Sequence, residues 1–335
     1  MTSTKLPVSV LIPAKNEELN LPACLESVAR AEQIFVVDSQ SEDRSVEIAQ
    51  QYGAEVVQFY YSGTGDRKKN WSLKNLNPDN SSREIESGKF FRHEWVLIVD
   101  CDERITAELW EEIEQIINNP QYNGYYLNRK VVFLGKWLRH GGKYPDWNLR
   151  LFKHKLGRYE DLGIGDVGNT GDNEVHEHVV LQDGSKAGFL KHDMDHIDFR
   201  DLYQWLARHN RYSNWEAAFY DKLLKGELPE VEIAGPIWKK GPRRTRLLRK
   251  IWIRLPLRPL MRFLLTYVFL LGFLDGKAGY IYACLLSQYE YQISVKLYEL
   301  RKFGGKLNLK QADQNKINQS SLNGKSPQAS LINAE

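Results

Sequence analysis

Cysteine is scarce in this chain: 335 residues hold only Cys24, Cys101 and Cys284, far apart and without a second thiol or a histidine at metal-binding spacing. Neither a disulfide framework nor a structural zinc site is therefore supported, and a reducing compartment fits. Net charge is almost missing as well. Forty-six Lys and Arg stand against 43 Asp and Glu, for +3 overall, so no global field points to nucleic acid and no nucleic-acid partner is expected. Met1 to Pro7 carry no apolar h-region, so a secretory signal is not expected. No long hydrophobic run occurs either: the uncharged block Phe263 to Leu274 is twelve residues long, whereas a perpendicular spanning helix needs about twenty.

What is present is apolar substance, 42% of the chain, enough to bury one large or two modest cores. Val8-Ser9-Val10-Leu11-Ile12, ended by Pro13, reads as a strand, and Leu21, Cys24, Leu25 and Val28 follow at helical spacing. Ile34 to Val37 ends at Asp38, and a helix runs through Val46, Ala49 and Tyr52 to a stop at Gly53. Glu55 to Phe59 is a third strand and Trp95 to Val99 a fourth. Thr106 then caps a helix whose buried stripe is Leu109, Ile113, Ile116 and Ile117. This alternation predicts an α/β fold, a mostly parallel sheet with helices on both faces.

In such sheets the ligand crevice lies beyond the carboxyl ends of the strands. The residues to weigh are Pro13-Ala14-Lys15-Asn16-Glu17, Asp38 to Asp43, and Asp100-Cys101-Asp102-Glu103. Two carboxylates one residue apart, Asp100 and Asp102, suit a hard cation shared with phosphate oxygens; a polar strand end before the Thr106 helix is the plain alternative. From Gly124 to about Leu190 many glycines alternate with aromatics, and the pattern predicts an irregular insertion, not a second wound domain. Asp201 to about Leu224 reads as a helix. Lys239 to Arg262 crowds basic residues around Leu, Ile and Trp, a composition suited to an interface with anionic lipid, with a buried hairpin or a dimer contact as alternatives. Beyond Phe303 the chain turns polar and reads as disordered.

Three ordered motifs, Ser9 to Glu17, Val37 to Asp43 and Val99 to Glu103, together resemble family 2 glycosyltransferases of the GT-A, Rossmann-like fold. The likeness is greatest to the branch that adds sugars to the lipopolysaccharide core, and it extends through Val175-His176-Glu177, His196 and Asn210-Arg211-Tyr212 over about residues 6 to 300. It implies a catalytic domain over 1–200, a helical membrane-association region over 201–303 and the tail over 304–335. Pro13, Ala14, Asn16, Glu17, Asp38, Lys69, Asp100 and Cys101 would border the nucleotide of a UDP-sugar. Arg67, Lys68 and Lys69 fall where such enzymes carry basic residues beside the donor, although a solvated loop is the bland reading. Asp102 would ligate Mn2+ or Mg2+, with His196 as a further ligand and His192, which a helix would set on the same face, as the alternative. Glu177 would be the general base of an inverting transfer, Glu174 being the neighbouring candidate. Trp147, Asn148 and Arg150 would shape the sugar pocket. The acceptor would be a lipid-linked saccharide at the cytoplasmic face of the cell membrane, reached by a peripheral or monotopic protein. A nucleotidyltransferase lacks support, since the glycine-rich basic signature of such enzymes is missing at the start of the chain; a non-catalytic membrane scaffold with a nucleotide pocket is opposed by the joint presence of Asp100, Asp102 and Glu177.

Overall fold

The computed structural model describes residues 4–61, 65–80, 88–164, 178–182, 184–198, 200–228 and 248–304. Its first half follows the expected alternation: β1 (Leu6–Ala14), α1 (Leu21–Ser27), β2 (Ala31–Asp38), α2 (Ser45–Gln51), β3 (Glu55–Gln58), α3 (Lys68–Asn75), β4 (Trp95–Ile98), the two-residue β5 (Glu103–Arg104) and α4 (Ala107–Asn118). Local chemistry sets the ends. Thr106 accepts a hydrogen bond from the Leu109 N–H at 3.2 Å at the start of α4, and Gly53 ends the α2 segment at φ 74°, a left-handed conformation that glycine adopts without a Cβ clash.

The second half supplies β6 (Gly124–Phe133), β7 (Lys136–Trp137), β8 (Trp147–Lys153), β9 (Gly157–Tyr159), β10 (Val179–Leu181) and β11 (Ala187–Ile197). The central sheet is ordered β3-β2-β1-β4-β8-β6-β11-β5, with β7 beside β6, while β9 and β10 form a separate pair. Strands β1 to β4, β6 and β11 run in one direction, and β8, β5 and β7 run against them. The expected irregular insertion is thus half of the main sheet. Its glycines misled because several serve close approach: a Cβ on Gly157 would lie 2.2 Å from the Phe152 ring, and one on Gly188 2.6 Å from Tyr122. Glycine inside a strand marks such contacts as readily as it marks turns.

Side chains of β1 alternate between two cores. Val8, Val10 and Ile12 face the helices α1, α2 and α4 through Leu21, Leu25, Ile48, Leu109 and Ile113. Leu11 belongs to the opposite core, which takes in Leu73 of α3 and Tyr159, Val179 and Leu181 of the β9–β10 pair. The sheet is therefore covered on both faces, which is why the strands read as continuous apolar runs.

His154, just past β8, is 3% exposed beside the Phe91 ring and has no hydrogen-bond partner for Nδ1 among the described residues. Burial, with Lys155 and Arg158 close by, lowers its pKa from 6.5 to about 4. The folded state therefore keeps this ring neutral at pH values where the unfolded chain protonates it. Its contribution to stability is complete above about 6.5 and is lost as pH falls toward about 4, a change of roughly 2–3 kcal/mol. Urea melts from pH 7 to pH 4 are expected to show this loss in the wild type and a flatter profile in His154→Leu; an unchanged slope in the variant would refute the assignment.

The C-terminal third is helical. α5 (Leu202–Lys225) starts at Asp201, whose carboxylate accepts the Gln204 N–H at 2.9 Å, and ends at Gly226 with φ 75°. α6 (Arg258–Phe263) runs into a π-helical stretch, Leu264–Phe269, and a 3-10 turn, Gly272–Asp275, before the long α7 (Gly276–Phe303). α7 packs on α5, and both close on the sheet through Phe133, Leu138, Ala278 and Tyr282. No single helix among the described residues is long and apolar enough to cross a membrane; the α6 and α7 segments bend by 71° where they meet. Large apolar side chains stand in solvent along this segment, Leu257 before α6 and Phe269 at the bend being 72% and 73% exposed, with Leu264, Val268 and Leu271 exposed as well. Basic residues 239–247 and the tail 305–335 lie outside the described residues.

Candidate active site

The carboxyl ends of β1 and β4, the far end of β6, the end of β11 and the helices α5 and α7 enclose a cavity of about 470 Å³. Of the residues singled out from the sequence, Pro13, Glu17, Lys69, Asp100, Cys101, Asp102 and His196 line it together. Ala14, Asn16 and Asp38 do not line it. Ala14 offers its carbonyl to Lys68 Nζ at 2.7 Å. Asn16 sits at φ 53° and crosslinks the β1 and β2 loops, accepting the Glu42 N–H through Oδ1. Asp38 is buried and accepts from the Ser41 N–H at 3.0 Å and Gln58 Nε2 at 3.1 Å, so its carboxylate shapes the turn after β2. Glu177 and Glu174 lie outside the described residues.

The solvated-loop reading of Arg67 to Lys69 is corrected by α3. Arg67 and Lys68 are buried, the former donating to the Ile164 carbonyl at 2.9 Å. Lys69 reaches the cavity and pairs with Asp100 Oδ1 at 2.9 Å. Helical spacing turns successive lysines to different surroundings, which a run of charge in a sequence does not reveal.

Two charge networks organise the floor. In the first, Arg150 on β8 bridges Asp100 and the fully buried Glu103, meeting Glu103 Oε1 at 2.8 Å. Arg129 on β6 joins the same Glu103 oxygen at 3.2 Å and Asp146 at 2.7 Å. Burial would raise the Asp100 carboxyl, but Arg150 and Lys69 override it and hold the group well below the usual carboxylate range. In the second, Arg200 meets Glu17 and Asp198 at 2.8 Å each and Asp102 at 3.5 Å, and Arg208 meets Asp198 at 2.7 Å. Burial lifts the Glu17 carboxyl more than Arg200 depresses it. Burial also pushes the Cys101 thiol far up, so it stays protonated and donates to the Pro13 carbonyl at 3.3 Å. It is an inert strand-end residue.

His196 Nε2 stands 3.3 Å from Asp102 Oδ2. The imidazole overcomes burial and, with Arg200, holds the Asp102 carboxyl well below its ordinary range. His192 lies elsewhere. It pairs with Glu112 of α4 at 2.9 Å, because both histidines belong to strand β11, whose register against β6 shifts between Phe189 and Asp193. Among the described residues no group of three or more His, Cys, Asp and Glu forms a closed cage. The Asp102 and His196 pair, one ionised oxygen donor and one nitrogen donor facing a roomy cavity, fits a divalent cation that takes its remaining ligands from phosphate oxygens.

Sequence reading passed over Arg129, Asp146, Asp198, Arg200 and Arg208. One signal existed, the alternation of Asp and Arg from Asp198 to Arg208 directly after His196, but only the closure of α5 onto the sheet brings it to Glu17 and Asp102.

Known proteins resemble this chain in sequence and in outline. The family description "Glycosyl transferase family 2" matches residues 9–70, the stretch from β1 into α3. An uncharacterized glycosyltransferase of Rickettsia bellii is 26% identical over 232 residues, covering 66% of this chain and 69% of that protein. The lipopolysaccharide core biosynthesis glycosyltransferase LpsC of Rhizobium meliloti is 26% identical over 224 residues, 64% of this chain and 71% of LpsC. Among solved structures, a mannosyltransferase of Pyrobaculum calidifontis in complex with GDP-Man and Mn2+ aligns over 88% of each chain at 13% identity with a TM-score of 0.46.

Proposed function

The chain is a glycosyltransferase of family 2, and from that premise we propose that it moves a sugar from a UDP-sugar to a lipid-linked saccharide with inversion at the anomeric carbon. The observation that carries this reading is the convergence of Lys69, Asp100, Asp102 and His196 on one cavity at the carboxyl edge of the sheet. Asp102 and His196 would hold Mn2+ or Mg2+. When bound, the cation neutralises charge on the departing diphosphate. Arg150 fixes Asp100 in its ionised form toward the nucleotide, and Lys69, ion-paired to the same carboxylate, lies within reach of donor phosphate. Pro13 and Glu17 border the nucleotide. Glu177 accepts the proton of the acceptor hydroxyl as that oxygen attacks the anomeric carbon, so proton and leaving group depart on different sides of the reacting centre. The experiment is metal-dependent UDP release by the purified full chain across a panel of UDP-sugars; no turnover with any donor in Mn2+ or Mg2+ would defeat the reading.

We further propose that the segment around Leu257 to Leu274 docks on the cytoplasmic face of the membrane. Large apolar side chains exposed in one segment suit an apolar partner, and the exposed Lys250, Arg254 and Lys277, near them in the chain, suit anionic headgroups. Leu257→Ser, Phe269→Ser and Leu271→Ser combined are expected to weaken binding to phosphatidylglycerol-containing vesicles roughly 100-fold, since each loses apolar contact with the lipid. These side chains are exposed, so folding is expected to persist. Undiminished flotation with vesicles would exclude this segment as the docking surface.

A further inference from the structure

The cavity lining is of two kinds. Besides the acidic residues, its lining carries a cluster of aromatic side chains: Phe133 from the end of β6, Trp205, His209 and Tyr212 from α5, and Tyr282 and Tyr289 from α7. Trp205 stacks on His209 at 3.5 Å, and Phe133 meets Tyr282 edge-on at 5.1 Å, so the rings brace one another. A sugar ring carries an apolar C–H face and a polar rim, and a wall of fixed aromatic faces beside polar side chains matches both.

One cation stands beside this cluster. Lys143 lines the cavity with Nζ 5.1 Å from the centre of the Tyr282 ring. The other cavity cations are committed: Lys69 to Asp100, Arg129 to Asp146, Arg200 to Glu17 and Asp198, Arg208 to Asp198. Among the described residues no carboxylate lies within 4.0 Å of Lys143 Nζ. Although burial works against its charge, Tyr282 and Asp146 more than compensate and keep the ammonium protonated. Lys143 is half-buried, and its ammonium leans on Tyr282 with no carboxylate in contact, so it can take an anion from a ligand.

The loop bearing Lys143 is also anchored. His140 presents its backbone N–H and Nδ1 to the two oxygens of buried Asp275, each at 2.9 Å. Gly141 donates to the Leu270 carbonyl at 2.8 Å, and a Cβ on Gly142 would come within 2.8 Å of the Leu270 side chain. Lys143 is thereby held between the aromatic cluster and the segment that carries Leu270.

We propose that this aromatic part of the cavity is a subsite for an acidic sugar of the acceptor, its ring lying on Trp205 and Tyr282 and its phosphate or carboxylate meeting Lys143. The inference rests on the reading of the second substrate as a saccharide, and it adds the acidic group and the residues that select it.

Saturation-transfer NMR on the full chain with methyl glucoside, glucose 6-phosphate and glucuronate, each with and without UDP and Mg2+, tests it. Both acidic sugars are expected to bind at least about tenfold more tightly than methyl glucoside, the worth of one charge-assisted contact. Lys143→Met should bring them down to the neutral sugar, whereas Trp205→Ala should weaken all three by about fivefold or more. A preference confined to one acidic sugar identifies the group as phosphate or carboxylate. Equal binding of neutral and acidic sugars, or a preference that survives Lys143→Met, overturns the subsite. UDP binding, read by calorimetry on the same samples, judges the donor reading separately: its loss defeats that reading, while UDP bound without any acidic preference defeats the subsite alone.

Discussion

Asp102→Ala is expected to lower metal-dependent UDP release roughly 10²- to 10³-fold, the scale on which one group stabilising developing charge contributes. Asp102 stands on the strand end that opens into the cavity, and its pairing with His196 and Arg200 holds it ionised. An alanine there leaves the imidazole without its carboxylate partner, so raising the Mn2+ concentration should restore only part of the rate. Glu177→Gln removes a proton acceptor without changing shape and is expected to cost roughly 10²- to 10⁴-fold in turnover. The two losses separate by kind: the first depends on metal concentration and the second does not. Turnover undiminished in both variants would end the assignment of this cavity as the catalytic centre.

Arg150→Leu is expected to lower the free energy of unfolding by roughly 3–5 kcal/mol, the range found when one partner of a buried ion pair is removed. Arg150 is 5% exposed and Glu103 fully buried, and the guanidinium also holds Asp100. Leucine fills part of the volume but leaves two carboxylates short of a counter-charge, Glu103 keeping Arg129 and Asp100 keeping Lys69 as the remaining cations among the described residues. Arg150→Lys, which restores charge without the planar fork, should recover part of the loss. Urea denaturation followed by tryptophan fluorescence reads both. A shift below about 1 kcal/mol for the leucine variant, the scale of an exposed pair, would mean that Glu103 is paired well enough without Arg150.

The legible parts of the fold were those written in short windows. β1 and β2 announced themselves by β-branched runs ended by Pro13 and Asp38, and α4 and α5 by Thr106 and Asp201, whose side chains accept the hydrogen bonds that helix starts leave open. β6, β8 and β11 were missed because their pattern is mixed: β6 is buried through Asn128 and then half-exposed, and β11 breaks its register near His192. α3 was hidden by a basic run that a loop explains as well as a helix does. In the candidate site, Asp100, Asp102 and Glu17 stood out by their place after strands. Arg150 was singled out only for the sugar pocket and Lys143 not at all, since nothing near them in the chain marks an arginine that joins two acids or a lysine with no carboxylate in contact.

Composition and local pattern were sufficient to establish a wound α/β sheet and which strand ends carry acidic side chains, because each depends on residues within a turn or a strand of one another. Partnership is another matter. Arg200 meets Glu17 from 183 residues away, Arg150 meets Asp100 from 50, and His140 meets Asp275 from 135. Ionic and hydrogen-bonded pairs act over a few ångströms of space regardless of separation along the chain, so which acid is neutralised, which histidine joins Asp102 and which lysine stands apart emerged only when α5 and α7 closed over the sheet.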